Sequence, residues 1–290
     1  MQNNPIEIKT VGIVGSGQMG NGIAQVAAAS GYQVVMQDIS SEALTRGMTT
    51  IQSSLDRLIK KGTVTEAQKA EILGRIKTTT EVQSFKGCDI VIEAATENVE
   101  LKLKIFKQVD EVLAPHALLV SNTSSISITK MAAVTRRPDK VAGMHFMNPV
   151  PLMKLVEGIR GLQTSNETFS AIRTMSEKMG KVFVESAKDM PGFLVNRILM
   201  PMINEAMFVL YEGIGTVEAI DEAMKLGTNQ PMGPLTLADF VGLDTCLAIL
   251  NVLYDGLGDP KYRPCPLLIK YVEAGWLGKK SGRGFYQYQK

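Results

Sequence analysis

The chain has 290 residues, of which 45% are hydrophobic and 21% are charged, and its formal net charge is +2 at pH 7. This length is enough for one large domain or two ordinary ones, and the composition is typical of a globular protein. The near balance of charge excludes a long basic face of the kind that binds nucleic acid or an anionic membrane. No apolar run approaches membrane-spanning length, and the first residues predict no signal peptide.

The three cysteines, Cys88, Cys246 and Cys265, are scattered along the chain. They are odd in number and lack the paired spacing of metal ligands. We interpret them as buried thiols of a reducing compartment. We therefore expect a cytoplasmic protein without a structural metal.

A glycine-rich loop, Gly15-Ser16-Gly17-Gln18-Met19-Gly20, follows a strand-like run at 10–14 and precedes a helical run at 23–29. In a dinucleotide-binding loop the first glycine permits a tight turn and the second lets a pyrophosphate approach the backbone. The third glycine lets the helix pack against the strand. The glycine pattern alone is weak evidence, because such turns occur in other α/β proteins. Its position between a strand and a helix favours a nucleotide site.

Asp38 ends the second apolar run, 33–36. It lies close to the interval of about 20 residues at which an acidic residue binds the ribose hydroxyls of a dinucleotide. A carboxylate there would repel a 2′-phosphate. The pattern therefore predicts NAD as the cofactor, with NADP possible if nearby side chains offset Asp38.

Residues 41–86 separate the second strand from the next clear strand, 89–93, and contain two helical patterns. One covers 42–61, and the other begins at a capping box, Thr65-Glu66-Ala67-Gln68. The first pattern ends in three basic residues: Arg57, Lys60 and Lys61. They can form a solvated face that balances the helix dipole, or a clamp for an anionic group outside the cofactor site. The residues themselves leave both interpretations open.

Strands and helices then alternate as far as residue 184. Strands are predicted at 118–120, 141–146, 153–159 and 181–184, and helices at 97–112, 126–134 and 167–179. The alternation predicts an α/β Rossmann-type doubly wound sheet with an inserted helical hairpin. Ligands of such sheets bind beyond the carboxyl ends of the strands, where His145 and the polar run 121–125 are expected.

From Pro191-Gly192 onward only helices are predicted, at 193–212, 217–226, 234–257 and 267–274. We therefore expect an NAD-binding domain at 1–190 and an all-α C-terminal domain at 191–290. The first of these helices is apolar around most of its circumference and needs burial on nearly every side. A domain of this size has difficulty providing that burial alone, so we expect a homodimer formed through it.

His145 ends one predicted strand, and Glu157 lies on the next. An imidazole oriented by a carboxylate commonly acts as a general base or acid at neutral pH. Taken alone, His145 is better interpreted as a histidine satisfied within the core. The other histidine, His116, follows Pro115 in a turn and is interpreted as surface structure.

Six blocks along the chain resemble the 3-hydroxyacyl-CoA dehydrogenase family in its short bacterial 3-hydroxybutyryl-CoA dehydrogenase form. They are the glycine-rich loop and residues 121–125, 143–151, 191–197, 231–234 and 278–286. The resemblance runs nearly end to end. It implies NAD-dependent interconversion of (S)-3-hydroxyacyl-CoA, above all 3-hydroxybutyryl-CoA, and 3-oxoacyl-CoA.

The resemblance also implies residue roles. Its catalytic set falls on Ser124, His145, Glu157 and Asn196, with His145 as the general base oriented by Glu157. Cofactor contacts fall on the glycine-rich loop, Asp38, Glu97, Lys102, Ser124, Asn148 and Lys280. Contacts to the CoA part of the substrate fall on Ser54, Lys61 and Ser124.

Two other functions are compatible with the same fold. A Rossmann dehydrogenase acting on a free hydroxy acid would use a lysine for catalysis and would not need the basic hairpin. A non-catalytic NAD-binding protein would need none of the catalytic set. The preferred acyl-chain length and the physiological direction of the reaction are not specified by the sequence.

Overall fold

The computed structural model describes residues 6–288. They divide between Asp189 and Met190 into two compact units. We call residues 6–189 the sheet unit and residues 190–288 the helical unit.

The sheet unit is built on eight strands: β1 (Thr10–Val14), β2 (Gln33–Gln37), β3 (Ile76–Thr79), β4 (Ile90–Glu93), β5 (Leu118–Ser121), β6 (Val141–Phe146), β7 (Leu155–Ile159) and β8 (Val182–Ser186). Their order in the sheet is β3-β2-β1-β4-β5-β6-β7-β8. All neighbours are parallel except β6 and β7. The central strands β4, β5 and β6 are buried along their whole length, as expected when both faces of a sheet are covered. The predicted Rossmann-type sheet is confirmed.

Six helices belong to this unit: α1 (Gln18–Ala29), α2 (Ser41–Lys60), α3 (Glu66–Gly74), α4 (Val99–Val112), α5 (Ile128–Ala132) and α6 (Asn166–Lys178). Side chains cap several of them, since the Ser40 hydroxyl accepts a hydrogen bond at the start of α2 and Thr65 forms the predicted capping box with Gln68. Buried residues on α2 recur every three or four positions, at Leu44, Gly47, Ile51 and Leu55. The predicted helical hairpin is thus formed by α2 and α3.

The strand β3 was not predicted from the sequence. It pairs in parallel with β2 at the edge of the sheet. Of its four residues only Ile76 is buried, so the segment lacks the apolar signature of the central strands. The hairpin is therefore inserted into the β2–β3 crossover, and the strand at 90–93 is the fourth, not the third as expected.

The helical unit contains α7 (Val195–Tyr211), α8 (Val217–Thr228), α9 (Pro234–Val241), α10 (Leu243–Leu257) and α11 (Pro266–Glu273). The expectation of one helix over 234–257 was wrong. The chain bends by 97° between α9 and α10. Gly242 makes the bend with a φ of +100°, a left-handed conformation that other residues rarely adopt.

The described part of the chain holds no single helix that is long and apolar enough to cross a membrane. The bent pair α9–α10 passes that test only when its two helices are counted together. Both helices contribute buried residues to the core of the helical unit, including Leu235, Leu243 and Leu250.

Candidate active site

The glycine-rich loop connects β1 to α1, and each of its three glycines meets a different constraint. Gly15 has a φ of +94°. A Cβ at Gly20 would overlap the carbonyl oxygen of Gly15. A Cβ at Gly17 would meet nothing within 4 Å, so the backbone borders open space there. No side chain caps the N-terminus of α1, and its first N–H groups can serve a phosphate.

Asp38 follows β2 and is held against this loop. Its Oδ2 accepts hydrogen bonds from the backbone N–H of Ser16 at 2.8 Å and from the Ser16 hydroxyl at 2.9 Å. Next to it lies a cavity of about 540 Å³ lined by residues that include Gly15, Gly17 and Asp38. The residues present thus fit a dinucleotide, with backbone for the pyrophosphate and a carboxylate for a ribose.

Three apolar side chains that the sequence analysis did not single out also line this cavity. Ile39, directly after Asp38, is 94% exposed, and Leu101 and Ile105 lie one turn apart on α4. An apolar side chain that is almost wholly exposed beside a cavity can cover the face of a planar ligand. Of the three, only Ile39 could have been noticed in the sequence, because it directly follows the acidic residue Asp38.

His145 and Glu157 lie directly opposite each other on the antiparallel strands β6 and β7. The imidazole Nδ1 is 2.8 Å from Glu157 Oε2, and both side chains are buried. A carboxylate accepts only, so Nδ1 of the imidazole carries the proton that it donates to Glu157. The neutral ring then has its basic lone pair on Nε2. The arrangement can accept a proton and stabilise the resulting imidazolium.

The loop that carries Ser124 is organised by the carboxylate of Glu97. Glu97 Oε1 accepts hydrogen bonds from the hydroxyls of Thr123 and Ser125 at 2.5 and 3.0 Å. The backbone N–H and the hydroxyl of Ser124 lie 2.9 and 3.3 Å from the same oxygen. Burial alone would raise the pKa of Glu97, but the charge of Lys102 and these hydrogen bonds outweigh it and hold the pKa below its usual value. Two predicted site residues, Glu97 and Ser124, are therefore in contact.

The Ser124 loop is also tied to the strand that ends in the histidine. The backbone N–H of Phe146 donates to Asn122 Oδ1 at 2.8 Å. In the ladder, Ser121 of β5 is paired with Gly143 of β6. The loop and the His145–Glu157 pair thus lie at the same end of the sheet, where β5 and β6 terminate.

Lys102 lies on α4 and is 1% exposed. Its ammonium donates to Glu93 Oε1 at 2.7 Å, to Glu93 Oε2 at 2.9 Å and to the carbonyl oxygen of Ala95 at 3.1 Å. The family resemblance implies that Lys102 contacts the cofactor, and it implies no role for Glu93. Contact between Lys102 and a cofactor stays a prediction.

The remaining predicted residues of the sheet unit lie on its surface loops and hairpin. Asn148 is exposed and precedes Pro149 through a cis peptide bond. Ser54 on α2 and Lys61 at its C-terminal cap are separated by two helical turns, and such residues share one face of a helix. One extended ligand can contact both.

Two predicted site residues belong to the helical unit. Asn196 is buried in the first turn of α7. Lys280 forms an ion pair with Asp244 at the start of α10, with Nζ to Oδ distances of 2.5 and 2.7 Å. The side chain of Lys280 also passes close to the bend at Gly242. Their part in a common site with His145 stays a prediction.

Comparison with known proteins decides the family. Residues 10–190 match the family model described as the NAD binding domain of 3-hydroxyacyl-CoA dehydrogenase, and residues 192–288 match its C-terminal domain. The chain belongs to the 3-hydroxyacyl-CoA dehydrogenase family. The family resemblance and the dehydrogenase class predicted from the sequence are thereby confirmed, and the nucleotide-binding domain is of the type that uses NAD.

Three similar proteins match this chain over nearly their whole length. A 3-hydroxybutyryl-CoA dehydrogenase of Bradyrhizobium diazoefficiens is 57% identical over 282 residues, which cover 97% of this chain and 96% of that protein. The mitochondrial hydroxyacyl-coenzyme A dehydrogenase of Homo sapiens is 42% identical, with 98% and 92% covered. The crystal structure of (S)-3-hydroxybutyryl-CoA dehydrogenase from Ralstonia eutropha matches with a TM-score of 0.95 at 58% identity, covering 98% of this chain and 100% of that one.

Proposed function

We propose that this protein interconverts (S)-3-hydroxybutyryl-CoA and acetoacetyl-CoA with NAD as the hydride carrier. The observation that carries the proposal is the buried His145–Glu157 pair, 2.8 Å apart, in the unit that contains the dinucleotide loop. The names of the relatives support the four-carbon acyl group and the thioester. Family membership supports the use of NAD.

In the proposed reaction, neutral His145 accepts the proton of the 3-hydroxyl through Nε2. The glycine-rich loop and Asp38 would hold NAD, which would supply the two-electron acceptor for the hydride on C3 as the alcohol is oxidised to a ketone. Glu157 stabilises the imidazolium and fixes the orientation of the ring. In the reverse direction the imidazolium returns the proton to the forming alkoxide.

The other site residues are proposed to bind and orient. Ser124 and Asn196 hydrogen-bond the reacting oxygen or the thioester carbonyl. Glu97, Lys102, Asn148 and Lys280 contact the cofactor, together with the glycine-rich loop and Asp38. Ser54 and Lys61 hold the CoA nucleotide, and this interpretation makes the basic end of α2 a clamp.

We further propose that the protein is a homodimer formed through its helical unit and that it works in a reducing, cytoplasmic environment. Large apolar side chains are exposed on that unit, among them Ile198, Ile214 and Leu226. Ile214 also lines a surface cavity of about 500 Å³, together with Met202 and Val209. The three buried cysteines are free thiols, which fits a reducing compartment.

Steady-state rates of NADH oxidation with acetoacetyl-CoA test the function. Free acetoacetate serves as the second substrate and NADPH as the second cofactor. We expect turnover with acetoacetyl-CoA and NADH, much slower turnover with free acetoacetate, and weaker use of NADPH because Asp38 repels a 2′-phosphate. Protein that binds NADH but leaves acetoacetyl-CoA unreduced would refute the proposal. Faster reduction of free acetoacetate would favour the hydroxy-acid alternative.

A further inference from the structure

A buried ion pair lies beneath the Ser124 loop, and the proposed mechanism gives its acidic member no role. Glu93 ends β4 with no exposed surface, and its carboxylate is paired with the ammonium of Lys102. Taking two charges out of water is costly, and only good geometry and additional hydrogen bonds compensate for the loss. Hydrophobic residues would fill the same space at lower cost. The pair therefore calls for a reason other than stability.

The carboxylate of Glu93 joins three elements. It accepts a hydrogen bond of 2.6 Å from the hydroxyl of Ser121, which ends β5. It also accepts one of 2.7 Å from the backbone N–H of Ala95, just beyond β4. The ammonium of Lys102 reaches it from α4. The Ser121 hydroxyl in turn accepts a hydrogen bond of 3.1 Å from the backbone N–H of Thr123. Glu93 thus contacts the first residue of the run that leads to Ser124.

A second route from Glu93 to the same loop passes through Lys102. The ammonium is shared, because it also lies 3.3 Å from Oε2 of Glu97. The other oxygen of Glu97 holds the N–H and hydroxyl groups of residues 123–125. One cation between two carboxylates fixes the position of both. The place of Glu97, and with it that of the loop, depends on the charge at Glu93.

We propose that Glu93 is a positioning residue for Ser124, acting through Lys102 and Glu97 on one side and through Ser121 on the other. The inference rests on the proposed function, in which Ser124 hydrogen-bonds the substrate. An amide in place of the carboxylate would release Lys102 toward Glu97. The carboxylate of Glu97, which Lys102 already contacts, would then be drawn closer to the ammonium and loosen its hold on the Ser124 loop.

The variant Glu93→Gln tests this role, because it keeps the shape of the side chain and removes its charge. We expect kcat with acetoacetyl-CoA and NADH to fall on the order of 10- to 100-fold, since a displacement of about 1 Å in a reacting group can cost that much. Glu93→Asp keeps the charge and should recover part of the loss. The two values of kcat are compared at saturating substrate and corrected for the folded fraction, measured by circular dichroism.

Asp110→Asn is the matched control. Asp110 and Arg137 form another buried ion pair of the sheet unit, at the far end of α4, with a distance of 2.7 Å. This variant should lower Tm and leave kcat of the folded enzyme near the wild-type value. If folded Glu93→Gln keeps wild-type kcat, or if both variants lose kcat only in proportion to their unfolded fraction, Glu93 has no positioning role.

A third variant covers the case in which Glu93→Gln does not fold. Ser121→Ala removes one hydrogen bond to Glu93 and leaves the ion pair intact. We expect a smaller loss of kcat in the same direction and a lower Tm, because buried hydrogen bonds are lost. Wild-type kcat of the folded variant would overturn the inference. Inactive wild-type protein is a different result, because it would refute the proposed function and this role of Glu93 with it.

Discussion

His145 and Glu157 depend on each other as individual residues. The hydrogen bond between them fixes the imidazole ring, and their burial excludes water from it. In such surroundings a carboxylate in contact stabilises an imidazolium more strongly than it would in water. His145 is neutral before it accepts a proton and charged afterwards, so this arrangement stabilises its protonated form.

Replacing His145 by glutamine should leave the affinity for NADH unchanged and lower kcat by about 10²–10⁴-fold, the usual worth of a positioned general base. Glutamine retains hydrogen-bonding capacity but cannot take the proton. NADH binding is measured by fluorescence and kcat by steady-state reduction of acetoacetyl-CoA. His116→Gln is the control, because the side chain of His116 is 69% exposed and lies outside the site. A loss below tenfold would remove His145 from the role of base.

The sequence predicted some residues of the site and missed others for a physical reason. His145 stands out because it is one of two histidines in the chain and ends an apolar run, but its role as a base was predicted only together with the glycine-rich loop and the family resemblance. The role of Glu93 depends on which strands become neighbours, since its partner Ser121 is 28 positions away. Ile39 has no polar group, so only its position directly after Asp38 marks it. Chemistry that acts through spatial neighbours leaves little trace in a linear pattern.

Among the elements, the inserted hairpin α2–α3 was predicted well and the strand after it was missed. The hairpin has strong local signals, namely the capping box at Thr65 and buried residues at helical spacing. In contrast, β3 exists because β2 offers a free edge, and its residues 77–79 stay largely outside the core. The division of 234–257 into α9 and α10 depends on one glycine, Gly242, in a strongly apolar stretch. Apolar periodicity continues through such a bend and cannot reveal it.

The basic end of α2 gives a prediction for the substrate. Lys61→Ala should raise KM for acetoacetyl-CoA roughly threefold to fivefold, the effect of an exposed charge pair, and leave kcat nearly unchanged. Lys60→Ala is the matched control, because Lys60 is the adjacent basic residue on a different face of the helix. Equal KM values for the two variants would indicate a merely solvated face at this end of α2.

The molecule as a whole depends on a buried pair far from the site. Burial alone would raise the pKa of Asp110, but hydrogen bonds from Arg137 and Arg136 outweigh it and hold the pKa below its usual value. A lowered pKa in the folded state means that the carboxylate stabilises the fold above the ordinary aspartate pKa of about 4. The contribution is lost as the pH falls through the lower folded value. The protein should therefore lose stability in acid.

Asp110→Asn should lower the free energy of unfolding by about 3–5 kcal/mol at neutral pH, because the buried Arg137 loses its partner. Between about pH 5 and pH 2, the unfolding free energy of this variant should fall less steeply than that of the wild type. Urea denaturation at a series of pH values measures both. Parallel pH curves for the two proteins would show that Asp110 is not the titrating group.

The exposed apolar surface of the helical unit gives a prediction about assembly. Ile214→Glu should convert dimers into monomers, because a charge would be buried in the proposed interface. Leu162→Glu in the sheet unit is the control, since Leu162 is 87% exposed on a different unit. Light scattering coupled to size-exclusion chromatography measures the mass. A wild-type protein that elutes as a monomer would contradict the dimer directly.

The reversed direction of β7 has a consequence for how this enzyme can vary. Because β6 and β7 are antiparallel and joined by residues 147–154, His145 and Glu157 face each other across a single connection. Changes in the length of that connection can reshape the substrate side while the ladder keeps the two residues opposite. A one-residue deletion inside β7 would instead turn Glu157 to the other face of the sheet. Natural or engineered changes in substrate range are thus expected in the connection, and β7 itself, which is buried over 156–159, should tolerate no deletion.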